Sequence, residues 1–169
     1  MTYFIGDCHF GDENILRIDN RPFSTVKEMD EAMIENWNSA VNDDDTIYVV
    51  GDFGAEGHEE DILNKLKGTI CLIRGNHDSA SNKRYRDAGF SEVYDKPIIL
   101  DDYWIVSHKP MFVSKNSPYA NIFAHVHDNP IYSTVSCRSY CVSASRIGYM
   151  PICFNFIKQC VKNCILKGE

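Results

Sequence analysis

No apolar run in the 169 residues approaches the ~20 needed to span a bilayer, so no membrane partner is expected. The start, MTYFIGDCHF, has no basic segment ahead of a long apolar one, which predicts no signal peptide and a cytoplasmic protein. Excess basic charge is missing as well. The net charge of −7, without a basic–aromatic groove, argues against long nucleic acid, whose backbone is held by many Lys and Arg contacts. A phosphate-bearing small molecule stays open, because a bound cation can supply positive charge locally. No two of the seven cysteines form a C-x-x-C pair, and the odd number suits no disulfide framework. Reduced thiols are therefore expected, with a metal or redox role open for Cys137/Cys141 and Cys160/Cys164. Repeats, low-complexity tracts and linkers are absent too, so residues 1–169 read as a single domain.

What the chain does have is a series of short apolar, β-branched or aromatic runs bounded by Gly, Pro, Asp or Asn. TYFI, TIYVV, TICLI, PIIL, YWIV, NIFA, YCVSA and PICFNFI read as strands, several of them buried on both faces. Helices lie between them. In STVKEMDEAMIENWNSAV, residues Val26, Met29, Met33, Trp37 and Val41 recur at three- and four-residue steps, behind a Thr25-x-x-Glu28 capping box. EEDILNKLKG stops at Gly68, and SNKRYRDAGF gives a third, mainly polar helix before Gly89. The pattern is α/β.

Chemistry-bearing residues stand directly after these strands. Gly6-Asp7-Cys8-His9 follows TYFI, Gly51-Asp52 follows TIYVV, and Gly75-Asn76-His77-Asp78 follows TICLIR. His108 follows YWIVS, and His125-Val126-His127 follows NIFA. Open α/β sheets bind ligands outside the carboxyl ends of their strands, so five loops are expected to converge on one pocket. Five of the six histidines hold this position, and only His58 does not. Strand spacing places His125 and His127 on one face, as a metal pair requires. GNHD is the most specific piece; at average usage its chance occurrence in such a chain is on the order of one in a thousand. Taken singly, Asp7 and Asp52 read equally well as turn or cap residues, and Asp78 as a helix N-cap.

The ordered set GDCH, GD, GNHD, SH and AHVH resembles the calcineurin-like metallophosphoesterase superfamily, in particular a small single-domain bacterial and phage branch with similar flanking text (NRPF, DTIYVVGDF, GTICLIRGNHD). The resemblance implies two mixed β-sheets packed as a sandwich with flanking helices. It implies two divalent transition-metal ions, Mn foremost, with Fe, Zn, Ni or Co also suited to imidazole and carboxylate ligands. Asp7, His9 and His127 would hold one ion, Asn76, His108 and His125 the other, and Asp52 would bridge them. A bridging hydroxide would then attack a phosphate mono- or diester of a small molecule or nucleotide. His77 would face the substrate and protonate the leaving oxygen or stabilise its charge. Asp78 would orient the loop or His77, and Arg21 of NRPF is a candidate phosphate clamp or a surface residue. A nuclease of the same chemistry and a non-catalytic metal-binding protein of the same fold are the alternatives. Ala124 replaces the glycine of G-H-x-H, a change tolerated where φ is negative. The stretch 128–150 is expected to supply pocket walls and a late strand.

Overall fold

The computed structural model describes residues 1–132 and 136–167. The first strand, β1 (Thr2–Ile5), is followed by a short helix, α1 (Glu13–Ile18), capped by Asp12, whose carboxylate accepts the Asn14 N–H. Helix α2 (Val26–Ala40) begins where the capping box predicts: Thr25 accepts the Glu28 N–H, and Glu28 reaches back to the Ser24 N–H. Its Met29, Met33 and Trp37 are buried. Then come β2 (Thr46–Val49), α3 (Glu59–Leu63) and β3 (Thr69–Ile73). Helix α4 (Asn82–Ala88) is capped by Ser81 and stopped by Gly89, so Asp78 is not its cap. Strands β4 (Glu92–Tyr94), β5 (Ile98–Leu100), β6 (Trp104–Ser107), β7 (Ala120–Phe123) and β8 (Ser139–Cys141) follow.

The C-terminal part departs from the sequence expectation. PICFNFI is a two-residue strand, β9 (Ile152–Cys153), and then the first turn of a helix, α5 (Phe154–Leu166). Phe154, Ile157 and Val161 are buried at three- and four-residue steps; the continuous apolar run concealed that helical period. Strand β4 and helix α1 also had no clear signal, being short and half polar. The cysteine expectation needs a second correction. Cys137 and Cys164 form a disulfide, with Cα atoms 5.2 Å apart, because α5 packs its last turn beside the segment leading into β8. A 27-residue separation hides such a pairing from sequence spacing.

The strands form two sheets, ordered β4-β3-β2-β1-β9 and β5-β6-β7-β8. Strands β1 to β4 run parallel, with β9 antiparallel on the edge; β6, β7 and β8 run parallel, with β5 antiparallel. Alternation along the first sheet sorts its side chains into two cores. Tyr3, Ile5, Ile47, Val49, Ile70 and Leu72 meet the helix residues Met29, Met33 and Trp37 on one face. Phe4, Val50 and Ile73 meet Trp104, Val106 and Ile122 of the second sheet, with Phe154 and Ile157 of α5, on the other. At one end the sheets are joined by parallel pairing of Gly6 with Ser143, through Gly6 N–H to the Val142 carbonyl and Ala144 N–H to the Gly6 carbonyl, both 2.8 Å. That junction lies beside Asp7. Among the described residues no helix is long and apolar enough to cross a membrane.

Candidate active site

Parallel pairing brings the carboxyl ends of β1, β2 and β3 together, and the loops that leave them stay paired. Asp7 N–H donates to Gly51 O at 2.9 Å, and His9 N–H to Asp52 O at 3.0 Å. Asp7 and Asp52 are thereby held at matching heights. Glycine is required where the loops cross: a Cβ on Gly75 would lie 2.1 Å from Asp52 Oδ1. Gly51 has φ +83°, and a Cβ there would lie 2.3 Å from His108 Nδ1.

Asp7, His9, Asp52, Asn76, His77, His108, His125 and His127 all gather at this end. Asp7, Asp52, His9 and His108 are buried, at 0, 1, 5 and 6% exposure, whereas Asn76 and His77 stand open to solvent. On one side His108 Nε2 has Asn76 Oδ1 at 3.0 Å, His125 Nδ1 at 3.1 Å and Asp52 Oδ2 at 3.3 Å. Asp52, His108 and His125 each offer a ligand atom within 4.8 Å of the others. On the other side His9 lies 5.2 Å, ring to ring, from both His127 and His77.

The tautomers follow from the outer partners. His108 Nδ1 is 2.9 Å from the Val50 carbonyl, which can only accept, so the proton sits on Nδ1 and Nε2 presents a lone pair to two acceptors, Asn76 Oδ1 and Asp52 Oδ2, beside the His125 ring nitrogen. Such a convergence needs a cation, or a proton, at its centre. Burial works against the protonated ring, but the Asp52 carboxylate outweighs it and raises the His108 pKa. Burial would raise Asp52 in turn; contact with His108 brings it down to about 2. His9 is pushed down to about 4 by burial, Asp52 opposing, and its ring is therefore neutral near pH 7. Its Nε2 is buried without a partner and lies 3.9 Å from Asp52 Oδ2. An orphaned imidazole nitrogen, clustered carboxylates and converging lone pairs all suit a divalent cation.

Backbone strain is concentrated here. Asp7, His9, Asp52, His125 and His127 have φ of 52°, 53°, 54°, 73° and 48°, the left-handed region, at roughly 1–3 kcal/mol each. This corrects the strand-spacing argument for the last pair. His125 and His127 lie beyond β7 in a turn, and the positive φ values send one ring to His108 and the other toward His9. Ala124 is not among the positive-φ residues, as its tolerance requires.

Sequence reasoning missed the residues that hold this arrangement. Asp19 Oδ2 accepts from His127 Nδ1 at 3.1 Å, and Asp12 Oδ2 lies 3.4 Å from His9 Nδ1, so each imidazole presents Nε2 inward. Ser143 Oγ donates to Asp7 Oδ2 at 2.5 Å, and the His125 N–H to Asp7 Oδ1 at 3.0 Å. Asp19 and Ser143 have no signal along the chain, because each reaches its partner from another loop, whereas Asp12 lies only three residues after His9. Asp78 is buried and accepts the N–H groups of Asp52, Phe53 and Gly75 at 2.8, 3.1 and 2.7 Å. It therefore ties the second and third loops together rather than touching the His77 ring. Arg21 is the clear correction. Its side chain is wholly buried and donates to the carbonyls of Asp7 (2.6 Å) and Cys8 (2.7 Å) and to Asp19 (3.2 Å). With its donors turned inward it cannot clamp a substrate phosphate; it braces the first loop from below.

The family model for calcineurin-like phosphoesterases matches residues 2–148. The chain belongs to that family. An uncharacterized protein of Methanocaldococcus jannaschii, MJ1445, is 32% identical over 171 residues, covering 95% of this chain and 90% of its own. The gene 66 protein of Mycobacterium phage L5 is 32% identical over 82 residues, which is 46% of this chain and 39% of that protein. Among solved structures, the Aquifex aeolicus protein AQ665, of unknown function, superposes with a TM-score of 0.74 at 25% identity, over 94% of this chain and 98% of its own. The Pseudomonas putida nuclease MPE gives 0.51 at 20% identity, over 75% and 61%, a likeness of fold. Membership of the calcineurin-like phosphoesterases accounts for the two mixed sheets and for a candidate metal site at their carboxyl ends.

Proposed function

We propose that the chain is a metal-dependent phosphoesterase that hydrolyses phosphate mono- or diesters of a small molecule or nucleotide. The carrying observation is the convergence on His108 Nε2 of Asn76 Oδ1, His125 Nδ1 and Asp52 Oδ2, four groups that each bring a potential ligand atom to one centre. Asn76, His108 and His125 would hold one divalent transition-metal ion, Asp7, His9 and His127 a second, with Asp52 shared between them. Bound there, such ions neutralise phosphate charge and lower the pKa of water toward ~7. Manganese is the ion favoured for reconstitution, by the mixed carboxylate and imidazole set.

The protein's own part is positioning. Asp12, Asp19 and the Val50 carbonyl fix the three ring tautomers, and Asp78 and Arg21 fix the loops. His77 is exposed beside His9, with its backbone N–H held by Asp52 Oδ1 at 2.8 Å, so its ring is free to reach a substrate oxygen. It would donate the proton that the departing oxygen needs. A nuclease is the second reading, favoured by the name of the P. putida neighbour and opposed by the net charge of −7. Hydrolysis of p-nitrophenyl phosphate and bis(p-nitrophenyl) phosphate by Mn²⁺-reconstituted protein tests the proposal. His77→Ala and Asp52→Asn should each lower metal-dependent turnover; unchanged turnover in both would remove the catalytic reading.

A further inference from the structure

Two cavities open onto the site. One, about 560 Å³, is walled by Ile18, Asp19, Val126, Asp128 and Tyr132 and reaches His125 and His127. The other, about 360 Å³, is walled by Arg74, Lys96, Pro97, Lys109 and Met111 and reaches Asn76 and His108. Both fall within the roughly 300–1,000 Å³ of small-molecule sites.

The walls are fixed from outside the ligand set. Arg146 donates to the carbonyls of His127, Asn129 and Tyr132, the last two at 2.6 and 3.0 Å, and shapes the first wall. Buried Asn121 shapes the second. It accepts the Met111 N–H at 2.8 Å and donates to Ser107 Oγ at 2.9 Å, while Ser107 Oγ donates to the Lys109 carbonyl at 2.8 Å.

Their charges differ. Asp19 and Asp128 border the first cavity, whose apolar surface comes from Ile18, Val126 and the Tyr132 ring. Asp19 is already paired with Arg21 and His127, which leaves the charge of Asp128 against that of Arg146. With no net positive charge to hold an anion, the apolar wall favours a neutral, ring-bearing group. In the second cavity Arg74 is occupied by Asp95 at 2.7 Å and by the Asp78 carbonyl at 2.6 Å. Lys96 and Lys109 are exposed and form no ion pair among the described residues. Two uncompensated ammonium groups beside an apolar floor suit an anionic group.

We propose that the substrate is a phosphodiester with unlike arms: a neutral ring-bearing arm lies along Tyr132 and Val126, and an arm carrying a further negative charge lies between Lys96 and Lys109. This rests on the phosphoesterase reading and narrows it, since a monoester has one arm and fills one cavity. The reaction adds one water across one P–O bond. The water oxygen bonds to phosphorus, the departing oxygen takes a proton, and a monoester and an alcohol leave.

The test uses the Mn²⁺-reconstituted full chain with three probes: the dinucleotide ApA, its 5′-phosphorylated form pApA, and AMP. Cleavage of pApA should exceed that of ApA by about tenfold in kcat/KM, the equivalent of ~1.4 kcal/mol, and AMP should not be dephosphorylated at a comparable rate. In a Lys96→Ala/Lys109→Ala double variant the pApA to ApA ratio should fall to about one. Tyr132→Ala should lower kcat/KM for both dinucleotides together. A ratio unchanged by the double variant, or AMP turned over faster than either dinucleotide, would overturn the two-arm assignment. Hydrolysis of nitrophenyl esters with both dinucleotides untouched would also overturn it while leaving the phosphoesterase reading standing. Absence of all phosphate-ester hydrolysis would remove both.

Discussion

The two sides of the site use the same ring and hold it differently. His108 and His125 stand in contact, with Asn76 and Asp52 at 3.0–3.3 Å from one nitrogen, and His108 is backed by a neutral carbonyl. His9 and His127 stand apart, with His9 Nε2 unpartnered, and each is backed by a carboxylate, Asp12 or Asp19. Close packing fixes the first side. The second is equally buried but, among the described residues, has no hydrogen bond between its two rings, and depends on hydrogen bonds to outer residues, one of which, Asp19, is itself held by Arg21. Backing by an anion also makes an imidazole a more basic ligand than backing by a neutral dipole. The two sides should therefore answer differently to removal of their supports.

The largest effect is expected at the residue both sides share. Asp52→Asn should cut Mn²⁺-dependent turnover by roughly 10²–10³-fold, measured as kcat on bis(p-nitrophenyl) phosphate. Arg21→Met should destabilise the metal-free protein by about 3 kcal/mol or more in denaturant unfolding. Two buried carbonyls and the Asp19 carboxylate each lose a donor there, at roughly 1–3 kcal/mol apiece. A substrate clamp would instead raise KM and leave stability unmoved, so the two roles separate in one experiment.

Asp19→Ala acts on the looser side alone. It should weaken one of two Mn²⁺ equivalents by about 10–100-fold in equilibrium binding, while the equivalent near His108 keeps its affinity. Equal weakening of both would dissolve the distinction between the sides. The smallest effect belongs to Ala124→Gly, the family pattern's own residue: about 0.5–1 kcal/mol of lost stability with activity retained. A gain in stability would mean that Ala124 is strained, contrary to its backbone conformation.

The candidate ligands were legible because each follows a strand that announces itself through β-branched and apolar residues, and because parallel strands end on one side. Helix α2 was legible through its period and cap, and α4 through its stop at Gly89, although its cap is Ser81 rather than Asp78. Arg21 illustrates the failure. A guanidinium near a GDCH motif reads equally as a clamp or a surface residue until its depth is known, and depth is set by the packing of α1 and α2 over β1. Asp19, Ser143 and Arg146 had no signal, since an Asp, a Ser or an Arg in a loop is ordinary until another loop arrives beside it. The C-terminal helix was lost to an apolar run in which periods of 2 and 3.6 cannot be told apart.

The order of residue types along the chain determined the α/β alternation, the strand ends and the inventory of imidazoles and carboxylates, because local propensity and periodicity are written in neighbouring residues. The tertiary structure decided which nitrogen of each ring faces inward, which backbone units bear left-handed strain, and which cavity carries the lysines. Those depend on groups far apart in the chain, and only the packing of two sheets brings them within a hydrogen bond's reach.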